Sequence, residues 1–134
     1  MKIFIDANIL MYAAGAPSPY KGPSTALLEQ VVDGVVDAVT DAEVLQEILY
    51  RYWHLQLLDK GSALVEQATR MIPDVLPVDR RDVLLAKDLL AHRHRGLEPR
   101  DAIHAAVMLN HGLIDIYSYD THFDSIPGLK RRRP

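Results

Sequence analysis

The sequence predicts an α/β/α sandwich with a central, mainly parallel sheet. Short apolar or β-branched runs, typical of buried strands, alternate with longer segments whose apolar residues recur at helical spacing. Glycine and proline stand between these segments, where turns are needed. Such alternation is typical of parallel sheets that helices cover on both faces. The 134 residues suit one domain, residues 1–134, with a basic tail at 130–134.

Four strands are predicted, at residues 2–6, 35–40, 75–78 and 113–118. Each is a short apolar run bounded by residues that favour turns. A loop rich in proline and glycine at 15–23 separates the first strand from the first predicted helix. Asp41 follows the second strand directly, and its short carboxylate suits the N-cap of the next helix.

Five helices are predicted: from near Ser24 to Gly34, from Ala42 to an end by Gly61, from about Ser62 to Ile72, from Asp79 to His94, and from Pro99 to an end at Gly112. The second is amphipathic, because its apolar residues recur three and four positions apart. Pro73 breaks the third helix, since proline cannot continue a helix interior. Pro99 instead suits the first turn of the last helix, where its missing N–H is not needed.

Composition excludes several functional classes. The chain has no cysteine, so disulfides and thiolate metal sites are excluded, and any metal must be held by oxygen or imidazole. Asp6 interrupts the apolar N-terminus, and no run approaches the roughly 18–20 apolar residues that span a bilayer. We therefore expect a cytoplasmic protein without membrane contact. The net charge of −3 disfavours general binding of long nucleic acids, although basic patches occur at 80–81, 92–95 and 130–133.

Four acidic residues stand where strands end or the following helices begin: Asp6, Glu47, Asp101 and Asp120. Ligands of open α/β sheets gather at this edge, so the four carboxylates are expected to converge. Together they would repel one another unless a cation neutralised them. Oxygen ligands favour Mg²⁺, for which Mn²⁺ can substitute, and such ions activate water and polarise phosphodiesters. Taken singly, each acid also fits a turn, a helix start or an exposed helix face.

The histidines and aromatic residues allow other hypotheses. His92 and His94 with His104 or His111 would supply zinc ligands, but alternate residues of a helix face different directions, so solvated surface is the better interpretation. His104 is expected to be a hydrogen-bonded helix residue near the acids. An aromatic cluster of Tyr50, Tyr52 and Trp53 could stack on the bases of a nucleic acid, although packing is expected for at least two of the three.

The chain resembles the PIN-domain nucleases, specifically the VapC-type toxins of bacteria and archaea. Four segments in order carry the resemblance: FIDANILMYAA with Asp6, TDAEVLQEILYR with Glu47, LEPRDAIHAAVMLNHG with Asp101, and YSYDTHFDSIPGL with Asp120. The resemblance implies a PIN-like fold in which these four acids bind metal ions and cut single-stranded RNA. It also implies a cognate VapB-type antitoxin as partner and a homodimer.

The resemblance assigns further residues near the acids. Asn8 matches a polar residue that supports the first carboxylate, and a helix cap is its other interpretation. Ser118 matches a serine or threonine that positions water or metal, or it is a plain strand-end serine. Independently of the resemblance, Arg100 stands beside Asp101 and could contact a phosphate or pair with a carboxylate. His122 stands where many relatives carry another acid, which leaves the number of metal ions open, and Asp124 is expected to be a surface turn residue.

Two competing functions remain. Phosphatases of the haloacid dehalogenase type also begin with an aspartate after the first strand, but they need a second acid two residues later, where this chain has Asn8. A non-catalytic domain that uses the same fold for RNA binding or assembly is the other alternative. The complete set of four acids argues against it.

Overall fold

The structure, a computed structural model, describes residues 1–92 and 96–134 and has a parallel five-stranded sheet at its centre. The strands lie in the order β3-β2-β1-β4-β5, and each neighbouring pair is parallel. Their bounds are β1 Ile3–Ile5, β2 Ala38–Asp41, β3 Val75–Leu76, β4 Asp115–Tyr117 and β5 Lys130–Arg132. The predicted α/β/α fold class is confirmed.

Six α-helices pack around the sheet in the described part of the chain: α1 Ala7–Ala14, α2 Lys21–Val32, α3 Ala42–His54, α4 Leu58–Met71, α5 Arg80–Ala91 and α6 Pro99–Asn110. A short 3-10 helix spans Thr121–Ser125. Asp41 caps α3 as predicted, because its side chain accepts from the amide of Val44. Among the described residues, none of the helices combines the length and apolar character that crossing a bilayer requires.

The N-terminal half differs from the prediction at two places. Helix α1 was not predicted, although Asp6 caps it by accepting from the amide of Ala7. The eight residues of α1 are nearly all apolar, so they lack the polar face that marks an amphipathic helix. Helix α2 begins at Lys21 rather than near Ser24, which shortens the predicted loop.

Gly61 lies inside α4 instead of ending α3, so the predicted boundary between these helices is wrong. The chain turns at Gln56, whose φ is 57°, and α4 begins at Leu58. A Cβ at position 61 would stand 2.6 Å from Cβ of Tyr52. Glycine is therefore required there by the close approach of α3 and α4, not by a helix end.

Strand β5 was also not predicted, because its residues are basic rather than apolar. It pairs with β4 at the edge of the sheet, where charged side chains discourage pairing with other chains. Nε of Arg132 lies 3.1 Å from Oδ1 of Asp115, and Nε of Arg131 donates to Oδ1 of Asp124 at 2.8 Å. Residues 130–132 of the basic tail thus complete the sheet. The end predicted at His94 for the helix that begins near Asp79 lies outside the described residues.

The carboxyl ends of the central strands lie together at one edge of the sheet, above the main hydrophobic core. Large buried side chains from the strands and the surrounding helices form one core cluster, among them Phe4, Ile9, Val39, Ile48, Met108, Ile116 and Phe123. Parallel pairing of β1 with β2 and β4 aligns their carboxyl ends at one edge. Asp6, Asp41 and Ser118 end or directly follow these three strands. This edge is where the sequence predicts the functional site.

Candidate active site

One open cleft, about 700 Å³ in volume, is lined by all four predicted acids. Asp6 caps α1, Glu47 lies in α3, Asp101 lies in the first turn of α6, and Asp120 caps the 3-10 helix. The side chains come from distant parts of the sequence, so their convergence is produced by the parallel sheet. Their predicted convergence is confirmed, whereas their catalytic role stays a prediction.

The acids form two neighbouring groups, each completed by a histidine. Asp6 and Glu47 lie with His104, and Asp101 and Asp120 lie with His122. Within each group, one ligand atom of every residue lies within 4.8 Å of the others. The cleft therefore offers an inner group, defined as Asp6, Glu47 and His104, and an outer group, defined as Asp101, Asp120 and His122.

Ser118 and Asn8 hold the carboxylate of Asp6. The buried hydroxyl of Ser118 donates to Oδ2 of Asp6 at 2.6 Å, and Oδ1 of Asp6 accepts from the amide of Ala7 at 2.7 Å. Nδ2 of Asn8 lies 3.1 Å from the Ser118 hydroxyl and 3.4 Å from Asp6 Oδ2. The Ser118 hydroxyl also accepts from the amide of Asp120 at 3.0 Å, so it connects the two groups of acids.

Burial and mutual repulsion favour the protonated form of two of the acids. Burial, together with the nearby charge of Glu47, raises the pKa of Asp6 to about 6, although the positive charge of His104 and the hydrogen bonds from Ser118 and Ala7 oppose the rise. Burial also raises the pKa of Asp101, and repulsion from Asp120 adds to this rise. Carboxylates with raised pKa values are suited to a site that a cation completes.

His104 is fully buried and bridges two carboxylates. Its Nδ1 lies 2.8 Å from Oδ2 of Asp41, and its Nε2 lies 3.0 Å from Oε1 of Glu47 and 3.9 Å from Oδ1 of Asp6. A neutral imidazole carries one N–H, so hydrogen bonds to carboxylates from both nitrogens require the imidazolium form. Burial alone would lower the pKa of His104, but Asp41, Glu47 and Asp6 raise it well above its ordinary value.

The ion pair of Asp41 with His104 is the part of the site that the sequence did not predict. Asp41 was predicted only as a helix cap, and it caps α3 through Oδ1 while Oδ2 contacts His104. The prediction of a hydrogen-bonded His104 near the acids is confirmed. The sequence held one clue to this ion pair, because His104 is the single polar residue in an otherwise apolar stretch of α6. A buried imidazole needs polar partners, so a nearby buried acid could have been expected.

Cationic and aromatic side chains border the same cleft. Arg51, Arg100 and Tyr50 line it. Nε of Arg100 lies 3.7 Å from Oε1 of Glu47, and another of its nitrogens lies 3.5 Å from Glu98, so it sits beside carboxylates while half of its side chain stays in solvent. Of the predicted aromatic cluster, Tyr50 and Tyr52 line the cleft, although Tyr52 also packs against Gly61, and the exposed Trp53 does not line it.

The other basic patches and the zinc hypothesis are not supported at this cleft. Arg80 and Arg81 lie at the start of α5, and neither they nor residues 130–133 line the cleft. In the described ranges, the two groups of possible metal ligands contain neither His92 nor His111. The remaining residues of the 92–95 patch, including His94, lie outside the described residues. Asp124 is exposed and pairs with Arg131, as expected of a surface residue.

Comparisons with known proteins agree with this fold. The PIN domain family model matches residues 3–129. Ribonuclease VapC13 of Mycobacterium tuberculosis is 42% identical over 129 residues, which cover 96% of this chain and 98% of that protein. The chain therefore belongs to the PIN-domain family and, within it, to the group of VapC ribonucleases.

Two solved structures share the fold. The crystal structure of VapC20 from Mycobacterium tuberculosis, described as a toxin that cleaves the sarcin-ricin loop, has a TM-score of 0.80 at 21% identity and covers 98% of this chain and 99% of that chain. VapBC2 from Rickettsia felis, solved bound to a DNA fragment from its promoter, has a TM-score of 0.76 at 14% identity and covers 99% of this chain and 98% of that chain.

Proposed function

We propose that this protein, residues 1–134 acting as one PIN domain, is a metal-dependent endoribonuclease that cleaves single-stranded regions of RNA as the toxin of a toxin–antitoxin pair. The main observation that supports this proposal is one cleft at the carboxyl edge of the sheet, which is lined by Asp6, Glu47, Asp101 and Asp120. Family membership supports the ribonuclease activity. A phosphatase would lack its second acid, because Asn8 stands at that position.

The donor set fits a hard divalent cation such as Mg²⁺, with Mn²⁺ as a substitute. The four acids supply carboxylate oxygens, which are the ligands that such ions prefer. The raised pKa values of Asp6 and Asp101 arise from burial and from neighbouring carboxylates, and a cation would relieve both. A bound divalent cation would lower the pKa of a water molecule and stabilise charge on the scissile phosphate.

Each residue around the acids has a separate task. Ser118 and Asn8 orient the carboxylate of Asp6, and Ser118 sets its distance from the backbone of Asp120. Buried His104 holds Oε1 of Glu47 while its other nitrogen is fixed by Asp41. Because both of its ring nitrogens contact carboxylates, we assign His104 to positioning and charge balance rather than to metal binding.

Arg100 and Arg51 line the cleft, which supports a role for both in holding the RNA backbone. Guanidinium groups bind phosphates with charge-assisted hydrogen bonds, and Arg100 is exposed enough to turn from Glu47 toward a phosphate. Tyr50 is exposed and lines the same cleft, so it is the aromatic residue best placed to stack on an unpaired base.

We also propose that the protein binds a VapB-type antitoxin and forms a homodimer. Its proposed location is the cytoplasm, where cellular RNA is found. The partner is supported by the structural likeness to a VapBC complex. The apolar residues between 64 and 72, at the end of α4, are mostly buried in the core, whereas α3 and the following turn expose Leu49, Trp53, Leu55, Leu57 and Leu58. Exposed apolar residues that cluster in this way are typical of protein contacts.

The test is cleavage of a mixed pool of single-stranded RNA by the purified protein, with Mg²⁺ or Mn²⁺ and with EDTA. Asp6→Asn and Asp101→Asn variants remove one carboxylate from each group. The matched control is Asp33→Asn, which changes an exposed acid at the end of α2 that does not line the cleft. Circular dichroism and thermal melting confirm that all four proteins are folded.

We expect metal-dependent cutting by the original protein and by the Asp33 variant, and a loss of at least about 100-fold in both cleft variants. A folded protein that cuts neither this pool nor total cellular RNA with either metal would contradict the proposal and favour a binding module. Equal activity of the Asp6 and Asp33 variants would contradict the assignment of the cleft.

A further inference from the structure

The outer group at the mouth of the cleft contains a ring nitrogen as well as carboxylate oxygens. Nδ1 of His122 lies 2.9 Å from Oδ1 of Asp120 and 3.5 Å from Oδ2 of Asp101. Asp101 comes from the first turn of α6, while Asp120 and His122 belong to the cap and body of the 3-10 helix. Three donor atoms from two separate elements thus face one another.

Their spacing suits ligands of one metal ion. In an octahedral site with metal–ligand bonds of about 2.1 Å, neighbouring donor atoms lie about 3.0 Å apart. The distances from Nδ1 to the two carboxylate oxygens, 2.9 Å and 3.5 Å, lie close to this value. Only small side-chain adjustments would be needed for all three donors to meet one ion.

The two histidines of the cleft differ in their freedom to bind a metal. His104 is 0% exposed and holds a carboxylate at each ring nitrogen, so it acts as a cation. The His122 side chain is 38% exposed, and a single ring nitrogen, Nδ1, faces both carboxylates of its group. A neutral imidazole at this position can offer the lone pair of Nδ1 to an ion.

Gly96 provides the space that the His122 ring occupies. A Cβ at position 96 would stand 2.5 Å from Cδ2 and 2.7 Å from Nε2 of His122. Gly96 also has a φ of +73°, which side chains rarely adopt. The ring is therefore seated against a backbone position that accepts only glycine without rearrangement, which keeps Nδ1 directed at Asp101 and Asp120.

We propose that Asp101, Asp120 and His122 form a mixed nitrogen and oxygen site that selects Mn²⁺ over Mg²⁺. A ring-nitrogen ligand favours first-row transition ions over Mg²⁺, which prefers oxygen ligands, and Mn²⁺ is the one of them that carboxylate oxygens such as those of Asp101 and Asp120 also suit. The inference rests on the proposed function, since it specifies the metal of the same cleft. It makes Mn²⁺ the preferred ion of the outer group, while the carboxylates of the inner group remain open to Mg²⁺.

The experiment is Mn²⁺ binding to the purified protein, free of RNA and at one fixed pH of about 7.5. Electron paramagnetic resonance of free Mn²⁺ gives the affinity, and pulsed measurements detect magnetic coupling between bound Mn²⁺ and a ¹⁴N nucleus. His122→Asn removes the ring nitrogen, and Gly96→Ala displaces the ring without changing a donor. His111→Asn is the matched control, because His111 is exposed at the end of α6 and belongs to neither group.

We expect nitrogen coupling in the original protein and in the His111 variant, and its loss in the His122 variant. Mn²⁺ affinity should fall by about tenfold or more in the His122 variant, and Mg²⁺ affinity, measured by competition, should change by less than about threefold. The Gly96 variant should show weakened coupling. These readouts do not require RNA cleavage.

Three results would overturn the inference: absence of nitrogen coupling in the original protein, coupling that persists in the His122 variant, or tighter Mn²⁺ binding by that variant. The last would show that His122 acts as a cation that balances Asp101 and Asp120. A protein that cuts RNA but shows no coupling would keep the proposed function and lose this inference. A protein that shows nitrogen coupling but does not cut RNA would keep this inference and lose the proposed function.

Discussion

Nε2 of His104 lies 3.0 Å from Oε1 of Glu47, while Nδ1 of the same ring lies 2.8 Å from Oδ2 of Asp41. The buried imidazolium thus joins a carboxylate of the cleft to a carboxylate at the end of β2. Removing one partner of a buried ion pair leaves charge without compensation, which costs about 3–5 kcal/mol. The stability of the fold and the position of Glu47 therefore depend on one side chain.

Replacing His104 with glutamine should destabilise the metal-free protein by about 3 kcal/mol at pH 6, because Asp41 and Glu47 lose their shared cation. Urea denaturation in EDTA measures this change. His111→Gln is the control, since it changes an exposed histidine at the end of the same helix. A loss below about 1 kcal/mol would show that the ring does not compensate these carboxylates.

The stability of the metal-free protein should fall as pH rises from about 5 to 8. The pKa of Asp6 is raised from 3.8 to about 6, so the folded protein keeps a proton that the unfolded chain has lost, and stability falls with rising pH across that interval. His104 stabilises the fold fully below its ordinary pKa of 6.5, and this contribution is lost as pH rises through its raised pKa. Urea denaturation in EDTA at several pH values measures the slope, and a flat or rising profile would contradict both assignments.

Asp6→Asn should stabilise the metal-free protein by about 1–2 kcal/mol at pH 8, because it removes a charge that burial disfavours. The gain should vanish at pH 5, where Asp6 is largely protonated. In Mg²⁺ the order should reverse, since only the original protein gains full binding energy from the ion. Chemical denaturation beside Asp33→Asn measures each difference, and equal effects of the two substitutions would contradict the prediction.

Ser118→Ala should lower the free energy of unfolding by about 1–3 kcal/mol, because the buried hydroxyl serves Asp6, Asn8 and the amide of Asp120. RNA cleavage should slow by about tenfold or more, with little change in KM for RNA, since Ser118 orients a carboxylate and does not line the cleft. Denaturation and steady-state kinetics test both effects. Ser62→Ala, at an exposed position of α4, is the control, and a wild-type rate in the Ser118 variant would exclude the orienting role.

Arg100→Ala should raise KM for RNA with a smaller effect on kcat, because Arg100 borders the cleft and is proposed to hold a phosphate. The dependence of log affinity on log salt should become shallower by about 0.7 for a single strand. To check this slope, RNA affinity is measured across salt concentrations for the inactive Asp101→Asn protein with and without Arg100→Ala. Arg70→Ala, at an exposed position of α4, should leave the slope unchanged, and an equal change in both variants would point to general electrostatics.

Regular elements were predictable where local pattern and tertiary packing agree. Helix α6 begins at Pro99, as its first-turn proline predicts, and α3 begins after the cap at Asp41. Helix α1 and strand β5 escaped prediction because one is apolar nearly throughout and the other is basic. In both cases the neighbouring sheet, rather than the periodicity of the segment, determines the structure.

By itself, the sequence determined the α/β alternation, the four acids and their expected edge, because parallel strands bring their carboxyl ends together whatever the details of packing. Only the tertiary structure decided how those acids are held. Asp41 and His104 are 63 residues apart, and Ser118 and Asp6 are 112 apart, so no local pattern reports either contact. Charge compensation inside the cleft is a property of distances between side chains, and those distances exist only once the sheet has formed.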